Sequence, residues 1–511
     1  MRISIHDGTF SKVLVLVVAL LPVLVRLVYY PKYPGTDDAF IHASIIEMIM
    51  NHHTWGINPG VNVNLSTSPL FTVFFAVVRY FLGDAIYPGI VMSAAAVVAL
   101  LFLTYYMARK LAGDSMSALA VMALVATNIH LWRWAGTFME TSFACLTVVL
   151  ILVLALIIRQ ETKGWSWDVL LGVVLGLSML VRPEIGLLYA ALFVHDLLNR
   201  KKKILRTYLR MGCGLAVMLT MYMVISWLIF GYPLPSTYYA KTSSQLNFVN
   251  PTVFKQLVTV VGSGTIGVII IIIVSVSSLF VRHKKKNQQE VGLLFQGAVF
   301  LLFPSLGFMF YYLKMPMMES PARYFLPFLI TIPFVIIPIA KHSKSLLLWD
   351  KLRWAFLGAI LLQSVFALHM NHTRVAPVLA RMWDEYVATM TEASEQIRTQ
   401  CDNTDIVLVA YDIGVVSWRL NGACRIADGA ALGSPELRGM SLVEKIKKSN
   451  ATYLLQSLGT TDEYLTMGDS VQLKPVWERS FKSHGVDLAN QIYHTRLYKI
   501  VSTHAAARLA Q

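Results

Sequence analysis

Residues 13–30, VLVLVVALLPVLVRLVYY, are followed five residues later by residues 36–40, TDDAF. An apolar run of about 18 residues is long enough to cross a bilayer as a helix. Arg2 and Lys12 precede the run, and basic residues are retained on the cytoplasmic side of membrane helices. A cleaved signal peptide is the alternative, but the run is long and contains Arg26. We therefore predict a first membrane helix that delivers Asp37 and Asp38 to the outer face.

The composition of the whole chain is that of a membrane protein. Of the 511 residues, 56% are hydrophobic and only 14% are charged, and the mean hydropathy is +0.58. A soluble domain carries about 25% charged residues. The net charge of +15 could suit nucleic acid, but the basic residues cluster between apolar runs, as expected for cytoplasmic loops. The sequence predicts a polytopic helical membrane protein with no nucleic-acid partner.

Apolar segments that alternate with strongly basic loops predict an all-α membrane domain over residues 1–369. The eleven predicted spans are 13–30, 86–108, 115–131, 141–158, 167–181, 185–198, 207–230, 253–281, 291–313, 324–340 and 352–369. Residues 31–85 form a first outer loop, whose segments 39–51 and 69–82 are predicted to be helices at the membrane surface. If 69–82 crossed the bilayer, the strongly basic loops after it would face the wrong side. The N-terminus is then cytoplasmic and the C-terminus is outside.

The composition changes after residue 369. Residues 370–400 are polar and have a helical pattern, which is typical of a linker. Residues 401–511 contain short β-like runs at 406–409 and 451–455, which predicts a small extracytoplasmic α/β domain. Cys401 and Cys424 fall in this domain and are a candidate disulfide, because exported domains fold under oxidising conditions.

Two acidic positions are candidates for catalysis. Acids in the first turn of a helix also favour its dipole, so capping is the structural alternative for Asp37 and Asp38. Two adjacent carboxylates beside an apolar surface nevertheless repel each other and lose hydration, and such acids are functional candidates. A positioned carboxylate can act as general base on a sugar hydroxyl. Glu140, at the next outer loop, is a candidate second acid, with a solvated side chain in an interfacial Trp belt as the alternative.

Basic residues predicted on the same outer face favour a phosphate ligand. Arg182 and Glu184 flank Pro183, which breaks the helix, and charges at a broken membrane helix face a cavity. Lys241 and Arg323 both lie outside, against the positive-inside trend. Such cations can bind phosphate, and a guanidinium does so through paired hydrogen bonds. Neighbouring aromatic residues are candidate contacts for the donor or acceptor: Tyr238, Tyr239 and Tyr324.

A divalent cation near the carboxylate pair is an open question. His42, His52 and His53 surround Asp37 and Asp38 in the sequence. A metal that bridges Asp and His would use such residues, but their spacing is not diagnostic, and solvated surface histidines are the alternative. The sequence leaves the metal unassigned.

The order of these motifs resembles the GT-C superfamily of integral membrane glycosyltransferases over nearly the whole chain. The motifs are Asp37-Asp38-Ala39-Phe40, Trp55-Gly56-Ile57-Asn58-Pro59-Gly60, Ser66-Thr67-Ser68-Pro69-Leu70, Arg182-Pro183-Glu184, Pro235-Ser236-Thr237-Tyr238-Tyr239-Ala240-Lys241 and Arg323-Tyr324-Phe325-Leu326-Pro327. The first and third look most like bacterial arabinofuranosyltransferases that use polyprenyl-phosphate arabinofuranose and also end in an extracytoplasmic domain. The carbohydrate-binding modules of the largest members of that family are absent here.

The resemblance implies roles for the candidate residues. The first outer loop would carry the catalytic carboxylate, with Asp37 favoured over Asp38, and the other acid would orient the acceptor or bind a cation. Glu140 would be a second acid. The donor phosphate and the leaving group would be held by three cations: Arg182, Lys241 and Arg323.

The sequence thus predicts an enzyme of the bacterial inner membrane with a polyprenyl-phosphate sugar as donor and membrane lipid around it. It would transfer one sugar, arabinofuranose, to an exported protein, a glycolipid or a polysaccharide on the outer face. A lipid-linked sugar flippase or transporter is an alternative, although it needs neither an outer carboxylate pair nor a large outer domain. An oligosaccharide ligase or polymerase, which moves a whole glycan from a pyrophosphate carrier, is another.

Overall fold

The computed structural model describes residues 9–29, 31–160, 164–198, 204–241, 251–280, 298–314, 321–338, 349–402, 405–410, 413–458, 471–483 and 491–503. Contacts divide the chain into two compact units. The helical unit consists of Met1–Pro31, Ile90–Met221 and Ser244–Thr373. The loop–domain unit consists of Lys32–Gly89, Tyr222–Ser243 and Arg374–Gln511.

Helices dominate the described residues. In chain order they are α1 (Thr9–Tyr29), α2 (Asp37–His52), α3 (Pro69–Leu82), α4 (Ile86–Ala112), α5 (Ser115–Ala126), α6 (Ile129–Trp134), α7 (Thr141–Gln160), α8 (Trp165–Met179), α9 (Leu187–Leu198), α10 (Ile204–Phe230), α11 (Ser236–Lys241), α12 (Pro251–Phe280), α13 (Ala298–Lys314), α14 (Pro321–Leu329), α15 (Trp349–Met370), α16 (Ala376–Arg381), α17 (Ala388–Gln400), α18 (Ile413–Leu420) and α19 (Leu442–Ser449). The predominantly helical fold confirms the predicted class.

The apolar helices make this a multi-pass membrane protein. Among the described residues, five helical stretches are long and apolar enough to cross a membrane: Lys12–Tyr29, Ile86–Ala112, Thr141–Arg159, Ile204–Phe230 and Trp354–Gln400. Six shorter apolar helices accompany them, including Pro69–Leu82 and Trp165–Met179. The number of eleven spans and the orientation of the termini stay predictions. Parts of the predicted spans 253–281, 291–313 and 324–340 lie outside the described residues.

The predicted span 115–131 is interrupted. Residues 115–131 were expected to form a single helix, but α5 ends at Ala126 and α6 begins at Ile129. Asn128 causes the break because its side-chain oxygen accepts hydrogen bonds from the backbone N–H groups of His130 and Leu131, which caps a new helix. Its amide also donates to the Gly264 carbonyl on α12 at 2.9 Å. The prediction of an uninterrupted helix over 115–131 is therefore wrong.

The two helices of the first outer loop form at the predicted positions. Pro69 is the first residue of α3, where its missing N–H costs nothing. Gly83, with φ +80°, ends that helix. Glu47 on α2 and Arg79 on α3 form a salt bridge at 2.8 Å, which joins the two helices. The far end of α3 exposes large apolar side chains, as expected for a helix at a membrane surface: Tyr80, Phe81 and Leu82.

The C-terminal region contains the predicted α/β domain. Its five strands are β1 (Ile406–Val409), β2 (Arg425–Asp428), β3 (Tyr453–Leu458), β4 (Val471–Ser483) and β5 (Gln491–Thr503). They form one sheet in the order β2-β1-β3-β5-β4. Strand β1 is parallel to β2 and to β3, while β5 is antiparallel to β3 and β4. The apolar sequence IVLV of β1 fits a parallel strand that is covered on both faces.

The first outer loop packs onto this domain and the linker. Phe40 and Ile45 of α2 share a hydrophobic core with Val409, Val416 and Met390. The Asn58 amide exchanges two hydrogen bonds of 2.7 Å with the backbone of Ile426, and thus continues the edge of the sheet at β2. The sequence had grouped 31–85 with the membrane domain of 1–369, separate from 370–400 and 401–511. In the structure, the loop lies in one compact unit with those C-terminal residues, and the predicted domain boundaries stay a prediction.

Cys401 and Cys424 are adjacent free thiols in this unit. Cys401 follows α17 and Cys424 precedes β2, and the two residues pack in the same hydrophobic cluster. The exported domain should therefore form this disulfide when a protein thiol oxidase transfers its own disulfide to the pair. We expect peptide mass spectrometry after alkylation without reduction to find the two cysteines linked, and expect their loss to cost about 3 kcal/mol.

Cys213, a free thiol on α10, serves as the internal control and should be alkylated once the protein is unfolded in denaturant. Full alkylation of both Cys401 and Cys424 in protein exported under oxidising conditions would contradict the disulfide.

Candidate functional site

Asp37 is fixed by the C-terminal domain and not only by its own helix. Its Oδ2 accepts a hydrogen bond from the Gly414 N–H at 2.8 Å, and its Oδ1 accepts one from the Val415 N–H at 3.0 Å. The Tyr386 hydroxyl donates to the same Oδ1 at 3.1 Å. Gly414 and Val415 lie in the first turn of α18, where backbone N–H groups have no partner within the helix. The carboxylate of Asp37 thus caps α18.

The same contacts determine the acidity of Asp37. The pKa of the Asp37 carboxyl is raised to about 6, mainly by burial and also by the charge of Asp38, against the opposing effect of the hydrogen bonds from Gly414, Val415 and Tyr386. Asp37 therefore changes charge near neutral pH. Asp38 follows it in the first turn of α2 and is also partly exposed.

The histidines near the pair have separate environments. His42 is buried, and its Nδ1 lies 2.9 Å from the Thr72 hydroxyl, which in turn contacts the Ser66 hydroxyl at 2.9 Å. His52 and His53 lie exposed at the end of α2. Within the part of the chain that the structure describes, no cluster of three or more His, Cys, Asp or Glu residues could hold a metal ion.

Asn64, which lies between two quoted motifs of the first outer loop, contacts Ser236 of the motif at 235–241. The backbone oxygen of Asn64 accepts hydrogen bonds from the Ser236 N–H at 2.8 Å and from the Ser236 hydroxyl at 3.0 Å. The Asn64 amide donates to the Tyr222 hydroxyl at 2.9 Å. Arg438, from the C-terminal domain, donates to the Ser236 carbonyl at 3.2 Å. These bonds hold the start of α11 against the first outer loop.

The other residues of the motif at 235–241 lie on α11. Tyr238 and Tyr239 are exposed by 51% and 37%, and their rings meet edge to face with centroids 5.7 Å apart. Exposed rings on this helix can contact a sugar or a lipid chain. Lys241 is the last residue of α11, and its side chain lies outside the described part of the structure.

Arg182 is the centre of a buried charged cluster in the helical unit. Its Nη2 lies 2.6 Å and its Nε 3.0 Å from Glu140 Oε1, and its Nη1 lies 2.8 Å from Glu184 Oε1. Arg182, Glu140 and Glu184 are each less than 10% exposed. The short 3-10 turn Pro183–Gly186 begins after Arg182 and sets Glu184 on the same side as the guanidinium. Arg182, which was predicted to bind the donor phosphate, thus contacts Glu140, the predicted second acid, directly.

Tyr324 connects this cluster to the second predicted arginine. The guanidinium carbon of Arg182 lies 4.9 Å from the centroid of the Tyr324 ring, and that of Arg323 lies 4.6 Å from it. Arg323 Nη2 also donates to the Tyr324 hydroxyl. Cations over an aromatic face are stabilised by its quadrupole. Arg182, Glu140, Glu184, Arg323 and Tyr324 therefore form one cluster.

Several residues of these arrangements were not found from the sequence. Tyr311 is buried with its ring centroid 5.8 Å from that of Tyr324, and Tyr386 and Gly414 contact Asp37. Tyr311 lies in an ordinary aromatic stretch of α13, and Tyr386 lies in a linker, so neither has a local signal. Gly414 lies only five residues after β1 in the sequence, which is a position where a helix can begin, and this was the one available clue.

Comparisons with known proteins support the fold. The profile of the family described as dolichyl-phosphate-mannose-protein mannosyltransferase matches residues 66–230. No curated protein matches the chain at a significant level. Among solved structures, the chain is similar to ArnT from Cupriavidus metallidurans bound to undecaprenyl phosphate, with TM-score 0.61 and 14% identity over 96% of this chain and 98% of that one. The apo state of ArnT gives TM-score 0.60 and 12% identity over 95% and 98%.

The likeness to ArnT extends over nearly the full length of both chains. At such low identity it establishes the architecture. The chain has an ArnT-like GT-C fold, which confirms the predicted fold class.

Proposed function

We propose that the chain is a membrane glycosyltransferase that takes one sugar from a polyprenyl-phosphate donor. The observation that carries the proposal is the full-length likeness to a protein solved with undecaprenyl phosphate. The match of residues 66–230 to a family named for a dolichyl-phosphate sugar supports it independently. The family name includes a sugar on dolichyl phosphate, and the solved structure contains undecaprenyl phosphate, so both point to a phosphate carried on a polyprenyl chain. The carboxylate pair of the first loop supplies the acid–base group that such a transfer needs.

In the proposed reaction, the acceptor oxygen attacks the anomeric carbon as its proton passes to a carboxylate of the first loop. The bond from the anomeric carbon to the phosphate oxygen breaks, and polyprenyl phosphate leaves with the electron pair. Positive groups stabilise the charge that develops on the phosphate. We assign this role to Arg323 and Lys241.

Arg182 has a different proposed role. Three of its N–H groups already donate to Glu140 and Glu184, so a phosphate would have to compete with two buried carboxylates. We propose that Arg182 positions Glu140, the second acid, instead of holding the phosphate as first inferred. A divalent cation at the carboxylate pair stays part of the proposal and is tested by adding a chelator.

The finer specificity is also proposed. The TDDAF and STSPL stretches favour arabinofuranose as the sugar, and the acceptor is an exported protein, a glycolipid or a polysaccharide. We place the enzyme in the bacterial inner membrane, with the N-terminus in the cytoplasm and the C-terminal domain outside.

The test is transfer in detergent with a synthetic donor. Purified protein is mixed with polyprenyl-phosphate arabinofuranose, or with the mannose analogue, and with envelope extract from cells that lack the chain. We expect release of polyprenyl phosphate and addition of one pentose to an acceptor, both followed by mass spectrometry. The double variant Asp37→Asn/Asp38→Asn, which removes both candidate bases, is the matched control and should give neither.

The outcomes separate the alternatives. Movement of the intact lipid across sealed vesicles without any product in detergent would identify a flippase. Addition of a whole glycan from a pyrophosphate carrier would identify a ligase or polymerase. Either result would overturn single-sugar transfer.

A further inference from the structure

The turn that follows β2 is wound around one buried carboxylate. Asp428, the last residue of β2, is fully buried. Its Oδ1 accepts a hydrogen bond from the Ala430 N–H at 2.8 Å, and its Oδ2 accepts bonds from the Leu432 and Gly433 N–H groups at 2.7 Å each. Hydrogen bonds to an ionised acceptor are stronger than those between neutral groups. The carboxylate therefore fixes the path of residues 429–433, which we call the β2 turn.

The β2 turn holds the first residue of α11. The Ser236 hydroxyl donates to the Leu432 carbonyl at 2.6 Å, which is shorter than its 3.0 Å distance to the Asn64 oxygen. Arg438, which follows the turn, donates to the Ser236 carbonyl at 3.2 Å. Ser236 is 1% exposed, so water does not compete for these bonds. The C-terminal domain thus contacts both the side chain and the backbone of the residue at which α11 begins.

Two segments of the candidate site are held at one edge of the sheet. Strands β1 and β2 are parallel, so their carboxyl ends lie at the same edge, which is where open α/β sheets bind ligands. The segment after β1 donates hydrogen bonds to Asp37 of the first outer loop. The turn after β2 accepts one from Ser236 of α11. This edge therefore fixes the acidic loop and α11 relative to the same two strands.

The position of α11 depends on such contacts because the helix is short. It has six residues, and a helix of that length is not stable alone in water. Its Tyr238 and Tyr239 rings are exposed by 51% and 37%, and the Tyr239 ring meets that of Tyr232 edge to face with centroids 6.1 Å apart. A change at the first residue of α11 therefore changes where these rings lie.

We propose that the C-terminal domain positions α11 for the donor, with Ser236 and Asp428 as the positioning residues. Ser236 is bonded to the β2 turn, and Asp428 fixes that turn. Neither side chain touches the donor, because both are buried. The effect on the donor rests on the proposed function, in which α11 supplies donor contacts, whereas the ordering of α11 by the β2 turn does not. The C-terminal domain then determines how tightly the donor binds.

Two matched substitutions test the proposal. Ser236→Ala removes the hydroxyl and keeps the backbone N–H that donates to Asn64. The KM for the synthetic polyprenyl-phosphate donor should rise about fivefold, the scale of one hydrogen bond, while kcat changes little, since donor binding and not chemistry is weakened. Ser449→Ala is the control, because the Ser449 hydroxyl donates to carbonyls of its own helix, α19, and it should change neither constant. An unchanged donor KM in Ser236→Ala overturns the proposal.

A double variant tests whether Asp428 acts through the same bond. Asp428→Asn replaces one acceptor oxygen by an amide that donates, so the β2 turn loses a hydrogen bond and the donor KM should rise. Because both residues act through the Leu432 carbonyl, Ser236→Ala/Asp428→Asn should show the larger of the two increases and not their product. Increases that multiply would overturn the role of Asp428. If Asp428→Asn does not fold, Ser236→Ala alone decides whether the C-terminal domain positions α11.

Hydrogen exchange separates this proposal from the proposed function, because it needs no substrate. Peptides within residues 231–241 should exchange about fivefold faster in Ser236→Ala than in the wild type, since a local contact is lost, and should be unchanged in Ser449→Ala. Equal exchange in Ser236→Ala and the wild type would show that the β2 turn does not order α11. If the wild-type protein transfers no sugar from either synthetic donor, the glycosyltransferase proposal fails and the effect on the donor fails with it, while the exchange result still decides the ordering of α11.

Discussion

Replacement of Arg182 by Met should destabilise the helical unit by about 3–5 kcal/mol, the cost of leaving a buried charge without its partner. The guanidinium is the shared partner of Glu140 and Glu184, at 2.6 Å and 2.8 Å. All three side chains are buried, so water cannot replace the lost contacts. We expect a lower midpoint of thermal unfolding in detergent and, at the growth temperature, less folded protein.

The reason for this loss can be isolated with neutral variants. If the cost is electrostatic, adding Glu140→Gln and Glu184→Gln to Arg182→Met should recover most of the stability, because neither residue is then a buried carboxylate that has lost its guanidinium. Arg210→Met is the matched control, since Arg210 lies 3.6 Å from Asp168 and is 36% exposed. It should cost about 1 kcal/mol or less. A triple variant no more stable than Arg182→Met would show that packing, and not charge, is the cause.

The sequence predicted the helices well because membrane helices leave a strong local signal. A long apolar run with basic residues at one end is sufficient for helices such as α1 and α4, and Pro69 marks the start of α3 directly. The break between α5 and α6 was missed because one polar residue, Asn128, hardly changes the hydropathy of an apolar window. Its capping bonds depend on backbone geometry that composition does not contain.

The sequence identified the charged residues around Arg182, but it did not predict which of them are hydrogen-bonded to one another. The alternation of apolar segments with basic loops predicted that Glu140, Arg182 and Arg323 lie on the outer face of the membrane. The structure brings these three residues into one cluster. The alternation did not indicate that Arg182 would be engaged by two glutamates. The contact of Asp37 with Gly414 spans 377 residues, and no local pattern encodes such a separation. For the same reason, the packing of the first loop on the C-terminal domain could not be inferred from composition.

The second large effect is expected at Gly414, far from the carboxylates in sequence. Gly414→Ala should destabilise the loop–domain unit by about 3 kcal/mol, the scale of lost hydrogen bonds to a charged acceptor. The added Cβ would overlap the Asp37 carbonyl oxygen at 2.2 Å, so α18 and the start of α2 must separate. The bonds from Gly414 and Val415 to the Asp37 carboxylate would then lengthen together. Thermal unfolding and hydrogen exchange over α2 and α18 measure the change.

The sign of this effect is what makes it informative. In an open helix position, Gly→Ala stabilises by up to about 1 kcal/mol. Gly358 on α15 has no atom within 4 Å of the position of an added Cβ, so Gly358→Ala is the matched control and should be neutral or stabilising. If Gly414→Ala were as neutral or stabilising as Gly358→Ala, the close backbone contact between α2 and α18 would be wrong. If instead it slows sugar transfer with both acids of the first loop intact, the C-terminal domain contributes to catalysis through the position of that loop.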